Sequence, residues 1–278
     1  MFNQKFVIEA LMEDVGEADH TTLACIKPDA PGKALLKVKE NCILAGVFWA
    51  KAIVHYLQPD AQFTIFLQDG TKAQAGSIAF EIEATASNIL KAERLLLNCM
   101  QRMSGIATLT HQYVNMVAGY NVKILDTRKT TPLFRTLEKE AVRIGGGTNH
   151  RMGLYDMIMI KDNHIDYCGG IETAINRVYD YIASNGLKLK VEVETRNLED
   201  VKQVLAIGGV HRIMLDNFTP EQLKEAVMLI DGKVETEASG GINMDNIVSY
   251  AATGVDYISV GALTHHAVSI DLSLKAVF

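Results

Sequence analysis

The chain has 278 residues, 48% hydrophobic and 22% charged, with a formal net charge of −6. That length supports one large or two ordinary domains, and the composition is that of a globular protein with no membrane span. The acidic balance excludes generic nucleic-acid binding, which needs a basic face, and four single, widely spaced cysteines (Cys25, Cys42, Cys99, Cys168) suggest neither a zinc site nor a disulfide framework.

The first residues, MFNQKFVIEALMEDVGE, lack a basic segment followed by a hydrophobic core, so a cytoplasmic protein with reduced cysteines is expected. Residues 4–12 carry apolar side chains at helical spacing, and the acidic stretch Glu13 to Thr22 reads as the loop that follows. From Lys33 to Ala84 the pattern changes to strands: ALLKVKENCILAGV, then FTIFLQ, the turn Asp69-Gly70, and the alternating IAFEIEA. WAKAIVHYLQ between the first two is a short helix, on which His55 reads as a packed or surface residue. A long helix is expected from Ser87, a plausible N-cap, to about Gly105. Arg94 and Arg102 are embedded among its hydrophobic residues and need partners, because an unpaired buried charge is prohibitively costly. Residues 1–110 are therefore read as an α/β sandwich domain with a long helix at its end.

Beyond residue 120 strand and helix alternate. The expected strands are Val122–Leu125, Met157–Ile160, Leu187–Val193, Arg212–Leu215, Val234–Thr236 and Tyr257–Val260. A helix in TPEQLKEAVMLI has Thr219 as cap, Pro220 at the first helical position and Gln222 completing a capping box; another runs from Asn243 to Gly254. The strands end in Asp126 with Arg128 and Lys129, then Lys161, Glu194, Asp216, Glu237 with Ser239-Gly240-Gly241, and Gly261 with His265. In a closed barrel all these ends share one face, whereas an open sheet spreads them along an edge. Residues 111–265 are expected to form an incomplete, TIM-like β/α barrel of parallel strands, with 266–278 packing back on the first domain.

The stretch Leu125 to His164 concentrates the cations. Arg128 and Lys129 follow one apolar run, Asn149-His150-Arg151 follow three glycines, and Lys161 directly follows the apolar strand Met157–Ile160, which places it at a rim. A basic pocket in an acidic protein points to a small, multiply anionic ligand. At the last two strands, the glycines of Ser239-Gly240-Gly241 and Gly261 let backbone N–H groups approach an anion closely, a recurrent phosphate site on barrels. Glu194 and Asp216 could be general acid and base, metal ligands or a salt-bridge pair; with no activated nucleophile in view, binding Mg2+ and ribose hydroxyls is preferred.

The motifs DTRKTTP, GGGxNHR and IKDNH, in this order and spacing, resemble the quinolinate phosphoribosyltransferases, the decarboxylating nicotinate-nucleotide pyrophosphorylases of NAD biosynthesis. The resemblance extends over both ends of the chain. It implies a Mg2+-dependent pentosyltransferase, nicotinate-nucleotide diphosphorylase (carboxylating), acting on quinolinate and phosphoribosyl diphosphate (PRPP). It also implies a homodimer or a hexamer in which Arg102 reaches the neighbouring subunit's site. On this basis Arg102, Arg128, His150, Arg151 and Lys161 would hold the quinolinate carboxylates, and Lys129 the departing diphosphate. Glu194 and Asp216 would serve the ribose and the metal, and Ser239, Gly240, Gly261 and His265 the 5′-phosphate. Two departures are visible: Ala18 where a glycine is commoner, and Leu133 where the family usually has glycine, which removes a permissive backbone position. A related paralogue associated with molybdate transport would lack turnover, but the cation set from Arg102 to Lys161 is intact here. Another phosphate-binding barrel enzyme would leave the paired cations unexplained.

Overall fold

The computed structural model describes residues 4–277. In chain order its first half comprises α1 (Gln4–Val15), α2 (His20–Cys25), β1 (Pro31–Val38), β2 (Cys42–Ile43), α3 (Val47–Leu57), β3 (Gln62–Ile65), β4 (Lys72–Ala73), β5 (Ile78–Thr85) and α4 (Ala86–Met116). Then follow β6 (Lys123–Leu125), α5 (Arg135–Ile144), β7 (Ile158–Ile160), α6 (Asp162–Cys168), α7 (Ile171–Ser184), β8 (Val191–Thr195), α8 (Leu198–Ile207) and β9 (Arg212–Asp216). The chain closes with α9 (Pro220–Ile230), β10 (Glu235–Ser239), α10 (Ile247–Ala251), β11 (Tyr257–Ser259), the one-turn α11 (Ala262–His265) and β12 (Leu272–Ala276). These elements form two units. One contains the chain up to His111 with Thr130–Gly146 and everything from Leu263 on; the other contains Gln112–Lys129 and Gly147–Ala262. The inclusion of 130–146 in the first unit departs from a simple cut at 110/111.

The first unit is built on an antiparallel sheet in the order β12-β1-β5-β3. Along β1, Ala34, Leu36 and Val38 alternate into the core, while Lys33 on the other face is held by Glu81 and Glu83 at 2.9 and 2.8 Å. The C-terminal strand returns here, pairing from Ala34↔Ala276 to Val38↔Leu272. In the acidic stretch after α1, Asp19 caps α2 by accepting the Thr22 amide at 3.0 Å, a structural use of that run. His55 packs, as expected, with Nε2 3.1 Å from the Ala61 carbonyl and its ring edge-on to Phe63.

Two expectations about α4 fail. Ser87 lies inside its first turn and is not its cap, and the helix does not stop near Gly105 but continues to Met116. The reason for a glycine there is space: a Cβ at Gly105 would sit 2.0 Å from the Val268 carbonyl oxygen, so the C-terminal segment crosses the helix at that point. Gly145 has the same role after α5, where a Cβ would meet the Ala107 carbonyl at 2.4 Å.

The second unit is a six-stranded sheet in the order β6-β11-β10-β9-β8-β7, with every neighbouring pair parallel. This is chain order bent into a ring: the first strand pairs with the last, and only the β6/β7 joint lacks a ladder. At that seam Thr148 alone bridges to Leu125. Parallel pairing puts all six C-terminal ends on one rim. Strands β8 and β10 begin and end later than expected because polar residues lie within them, not after them. Val191, Val193, Ile213, Leu215, Ala238 and Ile258 form the outward, helix-covered set, all buried. The alternate residues Glu192, Glu194, Arg212, Glu235, Glu237, Tyr257 and Ser259 face the inside of the curve. Helix α9 begins as read from the sequence, Thr219 Oγ1 accepting the Gln222 amide at 3.3 Å and Gln222 Oε1 the Thr219 amide at 3.0 Å. Among the described residues no helix is long and apolar enough to cross a membrane, and no cysteine is paired.

Candidate active site

The rim collects most of the predicted residues because each follows or ends a parallel strand. Lys161 comes straight after β7, and its Nζ lies 3.3 Å from Glu194 Oε2 on β8. Its backbone N–H donates to His164 Nδ1 at 2.9 Å, so the rest of that motif starts α6. Asp216 is the last residue of β9, in register with Ser239 at the end of β10. Asp216 Oδ2 accepts from Asn217 Nδ2 at 2.6 Å. Asn217 and Gly240 both take left-handed backbone conformations (φ 59° and 96°), and a Cβ on Gly240 would lie 2.2 Å from Asn217 Oδ1. Glycine is therefore obligatory at 240, and two tight turns meet at the rim. Gly261 stands two residues beyond β11, half-buried.

Arg128 and Lys129 leave β6 through Asp126 and Thr127, and both are exposed. Arg151 is half-buried; burial first, and then the like charge of Arg128, lower its guanidinium pKa, so these cations stand close enough to feel one another. Two adjacent guanidinium groups favour an anion between them.

Beneath the rim lies a cluster that sequence reasoning only partly anticipated. Glu237, expected among the residues at the mouth, is instead fully buried within β10. Its Oε2 accepts from Arg212 Nη1 at 2.9 Å and lies 3.2 Å from His150 Nε2, and its Oε1 accepts from Ser259 Oγ at 2.6 Å. Glu192 Oε2, from the other side, is 3.1 Å from the same His150 nitrogen. Glu192 and Glu237 belong to strands separated by β9, so they can share one nitrogen only on the inside of a strongly curved sheet. Neither the Glu192 oxygens nor His150 Nε2 makes a well-directed hydrogen bond here, so the contacts of the ring with both carboxylates are charge attraction. The donor atoms of His150, Glu192 and Glu237 are close enough to suit a metal ion, but the Arg212 guanidinium already supplies the cation on Glu237. We read the cluster as an ion-pair network. Arg212 also binds Glu235 at 3.1 Å and stacks 3.9 Å over the Tyr257 ring.

Burial alone would lower the His150 pKa, but its two carboxylates raise it to about 9. Burial, and then the Glu237 charge, push Glu192 up to about 7. Glu237 is held low against burial by His150, Ser259 and Arg212. One contact opposes a second proton on His150: the Arg151 backbone N–H donates to Nδ1 at 2.6 Å. Charge decides, since the two buried carboxylates of Glu192 and Glu237 facing the ring outweigh one hydrogen bond.

Arg102 and His265 belong to the first unit. Arg102 finds the partner that its apolar setting demanded: Nε and Nη2 donate to Glu138 Oε1 at 3.1 and 3.0 Å, Nη1 donates to the Ala267 carbonyl at 2.8 Å, and Nη2 also to the Thr264 carbonyl. Part of the guanidinium stays exposed. His265 is exposed, its ring edge-on to His266 at 4.3 Å. Leu133, where a glycine was missed, has φ 61° and is 85% exposed, so the position does require left-handed backbone.

Residues 19–104 match the model of the quinolinate phosphoribosyl transferase N-terminal domain, and residues 106–275 that of its C-terminal domain. The chain belongs to the quinolinate phosphoribosyltransferase family. It is 44% identical over 281 residues to quinolinate phosphoribosyltransferase [decarboxylating] 2b, mitochondrial, of Nicotiana tabacum, covering 96% of this chain and 80% of that one. It is 39% identical to the probable nicotinate-nucleotide pyrophosphorylase [carboxylating] of Bacillus subtilis, covering 98% and 92%. Among solved structures, the nicotinate-nucleotide pyrophosphorylase of Francisella tularensis superposes with a TM-score of 0.90 at 41% identity, covering 98% of this chain and 95% of that one.

Proposed function

We infer that this chain transfers phosphoribosyl from PRPP to quinolinate with loss of CO2, producing nicotinate mononucleotide and diphosphate for NAD synthesis. The observation that carries this reading is the gathering of Arg128, Lys129, Arg151 and Lys161 with Glu194, Asp216 and Ser239 on one rim in a chain of this family. Arg128, Arg151 and Lys161 hold the two carboxylates of quinolinate, with His150 adding charge from below; arginine forks suit planar carboxylates. In the first step the C1′–O bond of PRPP breaks, its electron pair leaving with diphosphate, and the ring nitrogen of quinolinate forms the new bond to C1′. Lys129 neutralises charge on the departing group, while Glu194 and Asp216 stabilise the cationic ribose carbon and fix its hydroxyls. In the second step the bond to the carboxylate next to the ring nitrogen breaks. Its electron pair stays on the ring carbon beside the positive nitrogen until a proton arrives, and the surrounding cations favour that charge.

Glu194 and Asp216 offer hard oxygen donors at neighbouring strand ends, which fits Mg2+ completed by diphosphate oxygens; the ion would neutralise phosphate charge. Ser239, Gly240 and Gly261 take the 5′-phosphate. The exposed part of Arg102 serves the site of a second subunit, so the working assembly is a homodimer or a hexamer of such pairs, in the cytoplasm. The test is direct: quinolinate, PRPP and Mg2+ should yield CO2 and nicotinate mononucleotide, and chelation should stop turnover until Mg2+ is restored. Product from nicotinate but none from quinolinate overturns the substrate assignment.

A further inference from the structure

We propose that Glu237, which no substrate can reach, is a positioning residue that fixes the His150 ring from inside the barrel and so holds the Asn149–Arg151 segment at the quinolinate end of the site. The proposal rests on the assignment of Arg151 and His150 to quinolinate made above. The segment is gripped from two sides. Asp126, fully buried at the end of β6, accepts the His150 backbone N–H at 2.8 Å and Asn149 Nδ2 at 2.6 Å. The ring then projects inward to the Glu192 and Glu237 carboxylates at 3.1 and 3.2 Å.

Of these two anchors only Glu237 is itself locked by directed bonds, from Arg212 Nη1 at 2.9 Å and from Ser259 Oγ at 2.6 Å. A carboxylate held at both oxygens has one orientation and imposes it on its third partner. The segment crosses the seam where β6 and β7 share no ladder, so no sheet hydrogen bonds beyond the Thr148 bridge set its height. Arg151 follows His150 directly, and its backbone N–H lies 2.6 Å from the ring Nδ1, so the ring orientation bears on the backbone that carries the guanidinium. Other charged and polar groups facing the ring from neighbouring elements are Glu192, Arg212, Asp126 and Ser259.

The test is steady-state kinetics of Glu237→Gln, which keeps the shape and removes the charge. The KM for quinolinate should rise about tenfold, the scale of one buried charge contact. The KM for PRPP and kcat should stay within about twofold of wild type. Ser259→Ala, which frees one Glu237 oxygen without touching charge, should raise the quinolinate KM in the same direction by about threefold. A wild-type quinolinate KM in Glu237→Gln overturns the proposal, as does an equal rise in both KM values, which marks general loosening. If Glu237→Gln does not fold, Ser259→Ala decides alone, and an unchanged quinolinate KM there overturns it. A wild-type protein without quinolinate turnover would instead defeat the substrate reading. Positioning is then read from the His150 ring N–H resonance, which should be sharp in wild type and lost in Glu237→Gln; its persistence overturns the proposal.

Discussion

Arg102 and Glu138 offer the sharpest energetic test. Glu138 on α5 is fully buried, and its carboxylate accepts from the Arg102 Nε and Nη2 groups at 3.1 and 3.0 Å and from the Thr131 amide and hydroxyl at 3.0 and 2.9 Å. Replacing it by glutamine keeps the volume, removes the charge and sets an NH2 group against donors. Two charge-assisted bonds in a dry setting would be worth about 3–6 kcal/mol together. The arginine side chain, however, is 25% exposed, and solvent screening brings the coupling down to about 2–3 kcal/mol. A double-mutant cycle of Arg102→Met and Glu138→Gln, followed by urea denaturation, isolates that coupling. Glu138→Gln alone should lower the melting temperature by about 4–12 °C, at about 2–4 °C per kcal/mol. A coupling below about 0.5 kcal/mol would refute the argument, because it would mean that the guanidinium does not rest on Glu138 in solution.

Other expectations are read from the same contacts. Leu133→Gly relieves a left-handed leucine that buries almost nothing, and should stabilise the protein by about 0.5–1 kcal/mol, the strain gained less the extra chain entropy of glycine; a lowered urea midpoint would contradict this. Arg128→Ala and Lys161→Ala should each cut turnover by at least about a hundredfold while leaving the circular-dichroism melt unchanged, and wild-type activity in either would remove that residue from the site. His150 binds its proton more tightly folded than unfolded. Its contribution is therefore complete below about pH 6.5 and is lost as pH rises through about 9, and the raised pKa of Glu192 acts in the same direction. Unfolding free energy should fall by about 2–3 kcal/mol across that window, and a flat or rising profile would show that the ring is neutral throughout.

Much of the second unit can be read from the sequence because both faces of a parallel strand are covered. Runs such as Met157–Ile160 and Arg212–Leu215 stand out, and the cation that ends the first of them can only sit at a rim. The helix cap at Thr219 follows from local side-chain chemistry. What stays hidden is the polarity of the interior. VEVET and ETEAS look like half-exposed strands, so Glu194 and Glu237 pass for residues beyond a strand end, yet all five residues of β8 are buried. A glutamate pair two apart between valines was the available signal, since in a fully covered strand such residues can only face one another across the barrel. The placement of 130–146 was equally illegible, because it depends on contacts of α5 with distant segments; so did the role of Gly105, which looks like a helix terminator and is a crossing point. At Leu133 the departure from glycine was visible, and the positive φ supplies its physical meaning.

The buried network raises a question of cost. Two carboxylates, one guanidinium and a histidine taken out of water rarely stabilise a core more than apolar residues of the same volume would. Their value must then lie in geometry, and the seam between β6 and β7 shows where. A complete ladder would fix every residue there but would also close the rim. Here the Thr148 bridge ties the chain to β6 at one residue only, and the segment beyond it is set by side chains: Asp126 on the backbone, Glu192 and Glu237 on the ring. Arg128 and Arg151 leave the chain on the two flanks of that opening. A multiply charged ligand can therefore enter between cations whose positions are determined by an interior it never touches, and that separation lets the rim remain polar, open and still preorganised.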